Sequence, residues 1–179
     1  MFSPLVRIIL CTIGTILSWN FYQTGKIGSM IVMLLAILLI VLGYFRHGTV
    51  YAALQQIKKG NYSKAESLLL KIKKPDLLSI SDKSYYHFIK GFIELSKDKL
   101  ENSVTEFKTS MNIGGLRTEN DYSIVTLNLA EIELNRENFN VAKEYISQTR
   151  GYKMKPDVET ELERIEKEWS RAQENKLKV

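Results

Sequence analysis

Few residues of this 179-residue chain have the type and spacing that chemistry requires. His47 and His87 stand apart, with no Cys or carboxylate cluster at metal-ligand spacing, and read as packing or surface residues. Cys11 is the single cysteine, so no intramolecular disulfide can form. Glu131 and Glu133 are paired carboxylates, but they read as part of a solvated helix face. Gly114-Gly115 lacks the following Lys-Ser or Lys-Thr that a phosphate-cradling loop needs. Nucleophile, base and oxyanion donor never occur together in a recognisable pattern. The sequence therefore reads as a protein that is not an enzyme and that holds no cofactor and no metal.

The elements around these residues divide the chain in two. Mean hydropathy is −0.14, but the apolar residues are concentrated at one end. Residues 1–45 contain no Asp or Glu, and only Arg7 and Lys26 are basic. Two apolar runs, 5–22 and 27–45, flank the short turn Gln23-Thr24-Gly25-Lys26. Each run would give about 27 Å of helix, close to a bilayer core. Trp19, Phe21 and Tyr22 suit an interfacial belt. No small-x-small cleavage site follows the first run, which disfavours a signal peptide. The expectation is a two-helix transmembrane hairpin over residues 1–45. Cys11, Gly14 and Ser18 on one helix, with Gly28 and Ala36 on the other, would either let the two helices approach closely or serve as lipid-facing filler. The bases that follow the second run place both termini in the cytoplasm by the positive-inside rule. A composition rich in Lys, Asn and Ile suggests a bacterial inner membrane.

Residues 46–179 read as a helical domain with uneven charge. Arg46, Lys58, Lys59, Lys64, Lys71, Lys73 and Lys74 face Glu66 alone over residues 46–74, and the remainder is slightly acidic. Three readings fit this basic membrane-proximal face. It can be a solvated surface that sets topology, a contact for anionic lipid headgroups, or an RNA contact such as a docked ribosome. Nucleic acid is the weakest of these, because aromatic residues do not interleave with the lysines.

Within this domain one pattern occurs three times. Gly60-Asn61-Tyr62, Asp98-Lys99-Leu100 and Glu137-Asn138-Phe139 each open a helix. Three positions after Tyr62, Leu100 and Phe139 stand Ala65, Ser103 and Ala142; nine positions before them stand Ala53, Gly91 and Ala130. The intervals from Tyr62 to Leu100 and from Leu100 to Phe139 are almost equal. Small residues at these positions let paired helices approach, and the aromatic or Leu residues wedge between neighbours. Over about residues 46–156 the chain resembles the tetratricopeptide repeat, a helix-turn-helix unit whose usual period, near 34 residues, is slightly shorter. The resemblance implies an all-α fold: an α-solenoid of about three helix pairs. From Asp157, an apolar stripe of Val158, Leu162, Ile165, Trp169 and Ala172 marks a final helix over about 157–176. That helix caps the solenoid, a short dimerising coiled coil being the alternative.

In tetratricopeptide proteins the first helix of each pair lines a concave groove. The resemblance thus implies a partner-binding groove formed by Tyr51, Leu54, Tyr85, Phe88, Phe92, Leu127, Asn128, Glu131 and Asn135. Core packing of Tyr85, Phe88 and Phe92 is the competing explanation. The lysines of a carboxylate clamp are missing, which disfavours an acidic chaperone tail. The function implied is a membrane-anchored adaptor that binds a peptide or helix of a partner protein at the cytoplasmic face. The alternative is an accessory subunit of membrane machinery, such as a protein-export or ribosome-docked translocon complex.

Overall fold

The structure, a computed structural model, describes the backbone of residues 4–177 and the side chains of residues 10, 12–38 and 49–174. Eight α-helices follow one another among the described residues: α1 (Pro4–Gln23), α2 (Ile27–Ile57), α3 (Tyr62–Leu69), α4 (Ile80–Ser96), α5 (Leu100–Ile113), α6 (Glu119–Asn135), α7 (Phe139–Arg150) and α8 (Pro156–Leu177). A 3-10 turn, Pro75–Leu77, precedes α4, and no strand occurs among the described residues. The protein is all-α. It forms two compact units that divide between Thr49 and Val50, within α2.

In the first unit α1 and α2 are joined by a tight turn. Gly25 adopts φ +70°, and Thr24 Oγ1 donates to the carbonyls of Asn20 and Phe21. Gly14 is buried, and a Cβ on it would lie 3.0 Å from Ile37. Ser18 is buried as well, but Gly28 has open space above it and Ala36 is exposed. The side chain of Cys11 lies outside those described.

Among the described residues no helix is long and apolar enough to cross a membrane. This overturns the expected two-pass hairpin, together with its cytoplasmic termini and inner-membrane location. Helix α1 contains Thr12, Thr15, Ser18 and Asn20, polar residues that lower its hydropathy. The side chains of the flanks 5–9, 11 and 39–45, on which the expectation also drew, lie outside those described. Helix α2 continues to Ile57 without ending at Phe45.

The second unit is built from a recurring local structure. Helices α4 and α6 both have 17 residues. The starts of α3, α5 and α7, at Tyr62, Leu100 and Phe139, keep the near-equal intervals read from the sequence. The turn before each of α3, α5 and α7 has a left-handed residue: Gly60 at φ +73°, Asp98 at +58° and Glu137 at +61°. In each turn two backbone N–H groups return to the preceding helix, as from Asn61 to Gln56 and from Gly60 to Ile57. This double bond pattern satisfies the carbonyls that a helix end leaves unpaired. The other ends of the pairs are capped by side chains. Ser79 Oγ accepts from the N–H of Asp82 at α4, and Thr118 Oγ1 accepts from the N–H of Asp121 at α6.

Helix α4 packs on α5, and α6 packs on α7. The contacts are close because small residues meet there. Ala53, Ala65, Gly91, Ser103, Ala130 and Ala142 are all buried. Buried hydroxyls tie the pairs together: Ser84 Oγ donates to the Ser110 carbonyl at 2.7 Å, and Ser110 Oγ returns a bond to the Ser84 carbonyl at 2.8 Å. Thr149 Oγ1 donates to Thr126 Oγ1 at 2.7 Å across the second pair. One core cluster centres on Ile89, Phe107, Val125 and Leu129; a second joins Leu127 and Ile146 to Val158, Leu162 and Ile165 of α8. Helix α8 packs on both α6 and α7, with Trp169 Nε1 donating to the Phe139 carbonyl at 2.9 Å. The opposite face of α8, with Glu159, Glu163, Lys167 and Arg171, is exposed.

Candidate partner-binding site

A cavity of about 670 Å3 lies in the second unit among α2, α4, α6 and the start of α8. Helical spacing puts Tyr85, Phe88 and Phe92 on one face of α4, three and then four positions apart. Their rings form an edge-on ladder, with centroids 5.9 Å apart for Tyr85 and Phe88 and 5.1 Å apart for Phe88 and Phe92. Phe92 continues it to Phe107 of α5 at 5.1 Å. Tyr85 and Phe88 are almost fully buried, so packing and cavity lining are combined in the same side chains. Opposite them, Val50, Tyr51, Leu54 and Ile57 come from the last turns of α2. Tyr51 is half exposed and Leu54 half-buried.

The other end of the cavity is polar. Tyr85 Oη donates to Asp121 Oδ2 at 2.6 Å and accepts from the Arg117 N–H at 3.2 Å. Burial, reinforced by the Asp121 carboxylate, pushes the Tyr85 phenol up to about 12. The Arg117 guanidinium lies over the Tyr85 ring, 5.6 Å from its centroid, and its Nε donates to Ser81 Oγ. Asp82 and Asp121 are each held by the cap hydroxyl of their own helix, Ser79 and Thr118. Lys58, Lys155 and Asp157 complete the rim. An apolar floor with a few fixed polar groups at one end suits a peptide segment with one apolar face.

Of the nine groove residues read from the sequence, the structure brings five together here: Tyr51, Leu54, Tyr85, Phe88 and Phe92. The other four do not line the cavity. Leu127 is buried in the second core cluster, and Asn128 Nδ2 donates to the carbonyl of Ile124 on its own helix. Glu131 accepts from Arg164 of α8 at 2.6 Å, and Asn135 is exposed at the end of α6. For Leu127 and Glu131 the reason is α8, which packs on α6 and takes up the surface they would have offered.

Arg117, Thr118, Asn120, Asp121, Ile124 and Lys155 line the cavity without having been anticipated. The cap pattern Ser79-x-x-Asp82, repeated as Thr118-x-x-Asp121 one period later, was the available clue. One chemical expectation also changes. Glu133 is not on a solvated face: it is buried and accepts from Asn138 Nδ2 at 2.8 Å. His87 Nδ1 lies 2.6 Å from Glu106, which also meets Lys90 at 2.7 Å, so this cluster joins α4 to α5. Burial raises the Glu106 carboxyl, but hydrogen bonds from His87 and Lys90 outweigh it and the net shift is downward. Among the described residues, no three or more His, Cys, Asp or Glu side chains gather as metal ligands.

The basic residues spread over several elements. Lys58 and Lys59 follow α2, Lys64 lies on α3, and Lys71, Lys73 and Lys74 occupy the connection to α4. All six are exposed; the side chain of Arg46, like that of His47, lies outside the described residues. No family model, curated protein or solved structure matches the chain.

Proposed function

We propose that the second unit is a protein-binding module of the tetratricopeptide-like kind, and that its cavity receives a peptide or helix of a partner. The observation that carries this reading is the aromatic ladder of Tyr85, Phe88 and Phe92 facing Tyr51 and Leu54 across an open hollow. The equal lengths of α4 and α6, and the thrice-repeated turn, support the repeat kinship. No reaction is proposed for the site.

The test is selection of peptides from a random library on the full chain, followed by affinity measurement on the Leu54→Arg variant. Leu54 is half-buried and packs against the first core cluster, so circular dichroism and thermal unfolding of the variant must first match the parent chain before its binding is compared. Loss of binding by tenfold or more supports the reading. Peptides that bind both forms equally would sink it.

A second reading, a subunit of a larger assembly, draws on the first unit. There Ile16, Trp19, Tyr22, Ile27, Val32 and Leu35 are all more than half exposed. Exposed apolar side chains in that number mark a surface that a partner could cover. Native mass measurement separates the two readings, because a monomer that binds peptide retains only the first.

A further inference from the structure

The connection between α3 and α4 combines strongly exposed apolar side chains with a cluster of exposed lysines. Leu70, Ile80 and Leu77 are its most exposed large apolar side chains, at 77%, 70% and 60%. Between Leu70 and Leu77 stand Lys71, Lys73 and Lys74, all exposed and in no ion pair among the described residues. The one acid in the connection, Asp76, is held by Lys83 at 2.8 Å. Asp82, just beyond, is buried and hydrogen-bonded to Ser79. Glu66 of α3 pairs with Lys97. The acids nearby are thus already engaged, and the lysines face outward with their charge uncompensated.

We infer that the connection 70–80 is a docking surface for anionic lipid headgroups, contacting the bilayer surface with no segment crossing it. Two arguments select this occupant. Lysines close to an anionic surface are drawn to it, and each adds to the attraction. The apolar side chains are strongly exposed and line none of the described cavities. Protruding aliphatic groups need a partner that deforms around them, and the headgroup-acyl boundary of a bilayer does so. A folded protein or an RNA strand would need complementary shape or stacking rings, and the connection contains no aromatic residue.

The experiment measures binding of the full chain to phosphatidylcholine vesicles with and without phosphatidylglycerol. The expected result is a preference for the anionic vesicles that Lys71→Glu/Lys73→Glu/Lys74→Glu reduces by about 100-fold, the three lysines acting together. Binding to neutral vesicles should be the same for both proteins, which separates this surface from any apolar contact made elsewhere. In Leu70→Trp the emission added over that of the parent chain, which contains Trp19 and Trp169, should shift to the blue and be quenched by brominated acyl chains on anionic vesicles alone. The proposal is overturned if the wild-type chain shows no anionic preference, or if the triple variant keeps it. It is equally overturned if the triple variant loses only its hold on a polyuridylate strand, which would assign the surface to nucleic acid. Circular dichroism of each variant checks that the fold is retained, as exposed positions allow.

Discussion

Gly91 of α4 lies so close to Phe107 of α5 that a Cβ on it would sit 2.5 Å from the ring. Phe107 is completely buried, and Ser103 Oγ donates to the Gly91 carbonyl at 3.0 Å beside it. The Gly91→Ala substitution sets two effects against each other. Alanine gains about 1 kcal/mol of helix propensity. Overpacking a filled core costs about 1–3 kcal/mol, and here the obstacle is a ring with nowhere to go. We expect a net loss of up to about 2 kcal/mol, read as a lower urea midpoint. A stabilised variant would show that α5 can retreat.

The opposite sign is expected at Glu137. Its φ of +61° strains an L-residue by about 1–2 kcal/mol, which glycine removes at a smaller entropic cost. Glu137→Gly should raise stability by about 0.5–1 kcal/mol in denaturant unfolding. Asp98→Gly should do the same, because the two residues occupy the same place in successive turns. Gly60 already fills that place in the first turn.

Alkaline pH should weaken the second unit through Tyr85. Its phenol titrates at about 12 in the folded protein, against 10 when unfolded. A raised pKa favours the protonated, folded form. The contribution is therefore complete below pH 10 and lost as pH rises toward 12. Ultraviolet titration at the phenolate band should show one tyrosine ionising together with unfolding. In Tyr85→Phe the alkaline limb should flatten, and stability near neutral pH should fall by about 1–2 kcal/mol as the Arg117 N–H loses its acceptor.

Acid should act through Glu106. Its carboxyl is depressed in the fold, so the contribution is present above the unfolded value and lost as pH falls through the folded one. Glu106→Gln should make thermal stability less dependent on pH below about 4.5, the ordinary carboxylate value. An unchanged acid limb would mean that other carboxylates dominate acid unfolding.

What the sequence determined alone is what repeats along the chain. The period, the turn residues Gly60, Asp98 and Glu137, and the small residues Ala53, Gly91, Ala130 and their partners are local signals. A turn needs a particular backbone angle and a close helix contact needs a small side chain, so both are written where they act. The aromatic face of α4 was legible for the same reason, because helical periodicity places Tyr85, Phe88 and Phe92 together.

The tertiary structure decided which faces remained open. Nothing local to Leu127 or Glu131 indicates that α8, which begins only at Pro156, packs against α6 and pairs Arg164 with Glu131. Nothing near Asp121 indicates that its carboxylate receives the hydroxyl of Tyr85, from the helix pair before its own. Periodicity gives a helix its apolar face, but the neighbour that covers that face is chosen by contacts between distant parts of the chain.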